Sequence, residues 1–349
     1  MALTIENLAG YAAQSCIAAS SMSAPEITRF ACNLPHLSLT VHSFGSQFHR
    51  LCERSLVNLP QQNSNHTGMN LVITDENVSP SLSIPDWQGR PPGLGDIYEC
   101  LEARGFDGSY EIDLKNWQFF SPEQGQGLYL LRETDAYPPW EAAFPLRNFL
   151  HWHYARQGRR LIHAASLGID GRGVLLAGAG GAGKSGTTLA GVLNGLQSCG
   201  DDYIGLDING HEANVFPVMR LMKQDPKGLL RLGLDANDPA FGDLNWQGKH
   251  EFDFEGLVPE SRVEQLAIKA IFLPHIGMSK KSRITRATAR EVMFSLMPNN
   301  LQQLPGRYKQ GFNLLSQLSR QLPGYHLELS QDPKEISSTI AEFLSKDFP

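Results

Sequence analysis

The stretch Gly178-Ala-Gly-Gly-Ala-Gly-Lys184-Ser185 constrains this chain more than any other. It satisfies G-x-x-x-x-G-K-[ST] in full, directly after the apolar run Val174–Ala177 and directly before a helical pattern over Lys184–Gln197. Strand, glycine loop and helix is the context in which this pattern cradles phosphate. Gly178, Gly180, Gly181 and Gly183, with Ala179 and Ala182 between them, let backbone N–H groups turn inward. The helix that follows points its positive end at the same place. Lys184 would reach the β- and γ-phosphates and the Ser185 hydroxyl would ligate Mg²⁺, with Gly186 next in the first helical turn. Such a unit predicts an α/β layer and a bound nucleotide.

The same residues also fit G-x-G-x-x-G at Gly178, Gly180 and Gly183, and Asp201 lies 18 residues beyond Gly183. A dinucleotide site needs that acid at the end of an apolar strand. Here Leu196-Gln-Ser-Cys-Gly before Asp201 is polar, the apolar run Tyr203–Ile208 comes after it, and Lys184-Ser185 would have no task. The ATP-type phosphate loop is the better reading.

Asp201 and Asp202 stand 17 and 18 residues past Lys184, at the start of an apolar run rather than at its end. Two adjacent carboxylates beside Mg²⁺ can divide labour, Asp201 supporting the metal and Asp202 taking a proton from a hydroxyl. Without the phosphate loop the pair would read as a turn capped by acids.

At 349 residues the chain is long enough for two domains. Residues 1–135 are expected to form a small β-rich domain for substrate or partner recognition. They hold an Ala/Ser-rich start, strands at Leu37–Ser43 and Met69–Thr74, and a hairpin of Tyr110–Leu114 with Leu128–Leu131 packed by Trp117, Phe119 and Phe120. After Pro138 and Pro139, Trp140–Gln157 reads as an amphipathic helix that opens the second domain, 136–349. That domain alternates strands (Leu161–Ile169, Val174–Ala177, Tyr203–Ile208, Ala267–Leu273, Tyr325–Leu329) with helices. Thr288-x-x-Glu291 opens one helix, expected to stop before Pro298. Gln310–Gln321 is another, and Asp332-Pro333-Lys334-Glu335 starts the last.

Thirty basic against 36 acidic residues give a net charge of −6, which disfavours a protein that coats nucleic acid. No apolar run approaches the roughly 20 residues that span a bilayer. The N-terminal stretch carries Glu6 and no basic segment, so no signal peptide is expected. Cys16, Cys32, Cys52, Cys100 and Cys199 are scattered, without a C-x-x-C pair, and point to reduced thiols in the cytoplasm.

The segment His163-Ala-Ala-Ser-Leu-Gly-Ile-Asp-Gly-Arg-Gly-Val-Leu-Leu-Ala-Gly, the phosphate loop and Cys199-Gly-Asp-Asp-Tyr-Ile together resemble the HPr kinase/phosphorylase family over about 45 residues. The divergent HPr-kinase-like serine kinases of lasso-peptide clusters belong to the same group. The resemblance implies an α/β fold with a P-loop, HPr-kinase-like (phosphoenolpyruvate-carboxykinase-like) C-terminal domain behind the smaller β-rich N-terminal one. It also implies ATP and Mg²⁺, with Asp202 as the base toward an acceptor serine, His163 against the transferring phosphate and Ser185 on the metal. A homo-oligomer follows from the same likeness. HPr kinases have glutamate where this chain has Gly186, and a Glu-x-Arg-Gly-x-Gly stretch where it reads Asn214-Val-Phe-Pro-Val-Met-Arg220-Leu-Met-Lys223. Neither phosphorylase activity nor HPr itself is therefore implied. The expected acceptor is a hydroxyl of a peptide or small protein. A small hydroxyl metabolite is the alternative within the enzyme class, and a nucleotide-gated regulator the alternative outside it; no nucleic-acid or membrane partner is expected.

Arg220 and Lys223, just beyond the aspartate pair in sequence, are candidate contacts to phosphate or acceptor, and so is Arg262, near an arginine-bearing segment of the HPr kinases. Lys280, Lys281, Arg283, Arg286 and Arg290 form a basic cluster. It reads either as solvated surface or as a guide for an acidic peptide or a nucleotide tail. Cys199 reads as a small buried apolar residue or as a neighbour of the nucleotide.

Overall fold

A stripe of small residues at helical spacing, Leu8, Ala12, Ser15, Cys16 and Ala19, is the buried face of α1 (Ile5–Ser20). β1 (Ile27–Leu34), β2 (Leu37–Phe44), α2 (Ser46–Ser55), β3 (Thr67–Asp75), α3 (Leu94–Glu102), β4 (Asp107–Glu111), β5 (Asn116–Ser121), β6 (Gln126–Leu131) and α4 (Arg147–Arg156) follow. The computed structural model describes residues 2–22, 27–44, 46–60, 67–79, 82–133 and 137–346. In this first unit, which ends at Arg156 and takes in Leu304–Arg307, the sheet order is β1-β2-β3-β6-β5-β4. β2, β3 and β6 are mutually parallel, and the outer pairs are antiparallel. Leu8, Ala12, Ile97 and Leu101 of α1 and α3 bury against Trp117, Phe119, Leu128 and Leu130 of the sheet.

Three expectations change here. The first unit is mixed α/β rather than β-rich, because α1 packs through small side chains that carry little apolar signal. The turn at 122–125 joins β5 to β6, and the strand holding Tyr110 pairs with β5 instead. Helix α4 is shorter than 140–157 and is buried on all sides rather than amphipathic. Phe149, Trp152 and Tyr154 are fully buried, and the Tyr154 hydroxyl donates to the Pro35 carbonyl at 2.9 Å. The helix therefore belongs to the first unit. The boundary expected at 135/136 lies among residues outside those described, and the division falls at 156/157.

The second unit contains β7 (Arg160–Ile162), β8 (Ala165–Ile169), β9 (Arg172–Leu176), α5 (Lys184–Leu193), β10 (Ile204–Asn209), β11 (Glu212–Phe216), β12 (Leu221–Gln224), α6 (Pro226–Arg231) and β13 (His250–Asp253). It continues with β14 (Leu266–Ile276), β15 (Arg283–Ala287), α7 (Ala289–Gln302), α8 (Tyr308–Gln321), β16 (Gly324–Leu329) and α9 (Pro333–Leu344). β9, β14 and β16 are parallel neighbours; β15, β11, β10, β7 and β8 extend the sheet in antiparallel pairs, while β12 and β13 pair separately. The sheet is apolar on both faces, as a covered parallel sheet must be. Val174, Leu176, Ala270 and Phe272 face α5 and α9, while Leu175, Ala177, Ile271 and Leu273 face α7 and α8.

Two local expectations also change. The strand expected over Leu161–Ile169 breaks at His163-Ala164, because β7 pairs with β10 while β8 pairs with β9. Helix α7 does not stop before Pro298 but runs through it to Gln302. The proline removes one backbone donor, and the Asn300 amide, bonded to the Leu296 carbonyl at 2.8 Å, ties the turn around it. Among the described residues no helix is long and apolar enough to cross a membrane.

Candidate active site

The phosphate loop leaves the carboxyl end of β9 and enters α5 through Gly183, whose φ of 104° suits glycine. A Cβ there would lie 2.6 Å from Leu329 Cδ1, so a side chain at this left-handed position would also have to displace that leucine of β16. Among the described residues no side chain caps the N-terminus of α5. Helix starts of this kind present unpaired N–H groups, an arrangement that favours anions in general. The Lys184 ammonium is buried and donates to the carbonyls of Gly178 at 2.7 Å and Ala179 at 3.2 Å. Burial lowers its pKa, partly offset by Asp201 and Asp202. Both carboxylates are therefore close enough for the lysine's charge to act on them.

The turn Cys199-Gly200-Asp201-Asp202 precedes β10 and is tied to β8. The Ser198 hydroxyl donates to the Ser166 carbonyl at 2.7 Å and accepts from the Gly200 N–H at 2.9 Å, while the Ser166 hydroxyl accepts from the Cys199 N–H at 3.0 Å. Both serines are fully buried. Asp202 then sits at a φ of 70°, with the Tyr203 N–H bonded to the Asp201 carbonyl across it at 2.9 Å. A three-residue turn closed this way around a left-handed residue is sparsely populated, and such turns persist only where the surroundings hold them.

Asp202 faces two donors. His163 Nε2 lies 2.6 Å from Oδ1, and Lys223 Nζ lies 3.8 Å from Oδ2. Burial alone would raise the Asp202 pKa, but the His163 hydrogen bond and the charges of His163, Lys223 and Lys184 outweigh it and hold the group well below the usual carboxylate range. Asp201 behaves oppositely. Burial and the adjacent Asp202 push it up to about 6, against the Ser185 hydroxyl, Lys184 and His163. Neither carboxylate oxygen of Asp201 completes a hydrogen bond by distance and angle among the described residues, although the Ser185 hydroxyl is close enough to pull its pKa down. A buried acid without partners is costly unless a cation joins it.

The structure thus brings together Lys184, Ser185, Asp201, Asp202, His163 and Lys223. It does not bring Arg220 and Arg262 to them as free cations. Arg220 bonds Asp253 at 2.9 Å, and Arg262 is buried against Asp253 and bonds Glu255 at 3.2 Å, its guanidinium lying over the Phe254 ring. These two arginines brace β13 and the turn after it. Cys199 is fully buried, with its thiol pushed up to about 12 by burial, and is the small packed residue of the two readings.

Sequence reasoning missed Ser166 and Ser198, and it missed the end of α7. The Asn300 side chain accepts from the His163 N–H at 2.7 Å, and Asn299 donates to the Gly178 carbonyl at 3.3 Å. Tyr203 donates to Gln303. One helical turn therefore touches the histidine segment, the phosphate loop and the residue after Asp202. The only signal was the pair Asn299-Asn300 after Pro298, which reads as a helix stop.

The chain is a mixed α/β protein with several sheets. The solved structure of the HPr(Ser) kinase/phosphatase from Coxiella burnetii is similar to it over 53% of this chain and 95% of that one, at 17% identity and a TM-score of 0.30. No family model matches the sequence, and no curated protein matches it.

Proposed function

We propose that this chain is an ATP- and Mg²⁺-dependent kinase that transfers the γ-phosphoryl group to a serine or threonine hydroxyl of a peptide or small protein. The observation that carries the reading is Asp202, an ionised carboxylate held between His163 and Lys223 within electrostatic reach of the phosphate-loop lysine. A pure nucleotide switch needs one acid for its metal and has no use for a second one set up to meet a hydroxyl.

The residues fit both groups. The uncapped start of α5 suits phosphate oxygens, and the orphaned oxygens of Asp201, with the Ser185 hydroxyl beside them, suit a hard divalent cation. Among the described residues no three His, Cys, Asp or Glu side chains are placed to hold a metal ion between them, so such an ion would need phosphate oxygens and water to complete its shell. When bound, Mg²⁺ supplies neutralising charge to the β- and γ-phosphate oxygens.

Asp202 accepts a hydrogen bond from the acceptor hydroxyl and aims it. As the hydroxyl oxygen bonds to phosphorus, its proton passes to Asp202, and the bond to the β–γ bridging oxygen breaks. A weakly basic carboxylate serves here, because a loose transition state asks for little proton removal until late. Lys184 exchanges its two loop carbonyls for phosphate oxygens. His163 and Lys223 keep Asp202 ionised and oriented. The first unit, with its own core, serves recognition of the protein substrate, and the free cysteines suit the cytoplasm.

The test is transfer of label from γ-labelled ATP with Mg²⁺ to pooled peptides and metabolites, beside Lys184→Ala and Asp202→Asn. Label in a peptide, lost in both variants, is the expected result. Label in a metabolite moves the acceptor class. Tight ATP binding that needs Lys184, with no transfer to anything, makes the chain a nucleotide-gated regulator instead.

A further inference from the structure

At the amino ends of β9, β14 and β16, a strand's length away from the phosphate loop, lies a groove of about 930 Å³. Arg172 at the start of β9, Lys269 in β14, Arg286 in β15 and Arg320 in the last turn of α8 all line it, with His211 and Glu212. Among the described residues none of those four cations meets a carboxylate. Arg172 donates to the Leu344 carbonyl at 2.7 Å, Arg320 to the Ser316 carbonyl at 3.1 Å, and Arg286 lies 5.0 Å from the centre of the Tyr325 ring. Elsewhere in the same unit Arg159, Arg220, Lys223 and Arg262 each pair with an acid. In a chain of net charge −6, four cations left together around one cavity concentrate positive potential.

The positive charge continues out of the groove. β15 ends the strand order of its sheet, antiparallel to β16, with Arg286 opposite Tyr325 at the groove and Arg283 opposite Glu328 at the other end. Residue 329, next after Glu328, is the leucine against which Gly183 of the phosphate loop is packed. Lys280 and Lys281, both exposed, come just before Arg283. Lys280, Lys281, Arg283 and Arg286 of the basic cluster thus follow the edge strand from the phosphate-loop end of the sheet to the groove, Arg283 and Arg286 on opposite faces of it, while Arg290 lies in α7.

We propose that the groove and β15 bind an acidic stretch of polypeptide, and, resting on the kinase reading above, that this stretch belongs to the protein whose hydroxyl is phosphorylated. Guanidinium groups pair with carboxylates through two parallel hydrogen bonds. An extended peptide can add backbone bonds to the edge. β15 is 5 residues long, so at ~3.4 Å per residue a peptide of about eight residues reaches from the groove to the phosphate-loop end. A nucleotide tail does not fit this placement, because the groove lies at the opposite end of the strands from Gly178–Ser185.

The experiment is fluorescence anisotropy of a labelled peptide of alternating glutamate and serine, about eight residues long, with the full chain and no nucleotide. Binding that weakens as salt is raised is expected. It should weaken by about tenfold or more in the Lys269→Glu, Arg320→Glu double variant, and in the milder Lys269→Gln, Arg320→Gln pair to a smaller extent. Lys184→Ala should bind the peptide as the unmodified chain does, and the double variant should bind ATP normally. Equal peptide affinity in the well-folded double variant overturns the proposal. Equal affinity for a lysine–serine peptide does so too. Displacement by a single-stranded oligonucleotide at lower concentration overturns it in favour of nucleic acid. Peptide bound at the groove with no label transferred removes the kinase reading and leaves the groove. Label transferred equally well by a double variant that has lost the peptide leaves the kinase reading and overturns the claim that the bound stretch belongs to the phosphorylated protein.

Discussion

His163 Nε2 and Asp202 Oδ1 meet at 2.6 Å, although 39 residues separate them in sequence. The meeting is built by two irregularities, the break between β7 and β8 and the left-handed turn before β10. A carboxylate can only accept, so Nε2 carries the hydrogen in this pair. Lys223 closes the other side of the same carboxylate. Asp202 is therefore fixed in charge and in direction before any substrate arrives.

Replacing Asp202 by asparagine keeps the size and removes the proton acceptor. Turnover should fall by about 10²–10⁴-fold, the usual worth of general-base assistance. ATP affinity should stay within a few-fold, because in the proposed kinase phosphate binding rests on the loop and Lys184. Near-native turnover in this variant, measured by initial rates, would falsify the role given to Asp202.

The pH profile of kcat/KM should report how the carboxylate is held. In the proposed kinase activity needs both acids ionised, so with saturating Mg²⁺ holding Asp201 ionised the acid limb follows the pKa of Asp202. Burial pushes that pKa up, while His163, Lys223 and Lys184 pull it down further. Removing a pulling group in His163→Ala or Lys223→Met should shift the acid limb to higher pH. An acid limb that stays in place in Lys223→Met rules out the lysine as a partner of the base.

Asp201 should show itself in stability. Its folded pKa is raised from 3.8 to about 6 by burial and by Asp202. Between those values the folded state keeps a proton that the unfolded chain has released, so stability falls as pH rises through this window and stays lower above it. Asp201→Asn removes the buried anion. Without metal its Tm should exceed that of the unmodified chain at pH 8 by at least a few degrees, and the two should converge near pH 4. The rise in Tm on adding Mg²⁺ and nucleotide should shrink in the same variant. A lower Tm for Asp201→Asn at pH 8 contradicts this account.

Ser198→Ala strips the Gly200 N–H and the Ser166 carbonyl of a partner in a fully buried place. The cost should be about 1–3 kcal/mol by denaturant titration. Because the lost bonds hold the aspartate turn and not the phosphate loop, kcat should drop while ATP affinity holds. A loss of ATP affinity equal to the loss of kcat would show that the serine acts through the whole unit.

Local signals made part of this molecule legible in its sequence. The run from Leu266 carries β-branched and bulky residues, the Asp332-Pro333 start names its own cap, and the glycine loop announces the turn from β9 into α5. The clustering of Asp202 with the loop could be expected from the adjacent acid pair and, more firmly, from the resemblance. Other features depend on partners far away in the chain. Helix α1 hides behind alanine and serine, whose small side chains fill most of its buried face and carry little apolar signal. Helix α7 outlasts Pro298 because Asn299 and Asn300 are held by Gly178 and His163, a fact invisible from residues 296–302 by themselves. Arg220 and Lys223 look alike in the sequence, yet Asp253 takes one and Asp202 the other.

Strand β9 sends Val174 and Leu176 into one core and Leu175 into the other, and it ends where the glycine loop begins. Losing or gaining a single residue there would exchange the two sets of side chains and turn the loop's entry to the wrong face. The strand works as a ruler between the two hydrophobic layers and the glycine loop. Insertions and deletions can accumulate in turns such as Asp170-Gly171 before it, where the backbone is already left-handed and a Cβ on the glycine would meet open space. Between Arg172 and Ala177 the chain has no length to spare.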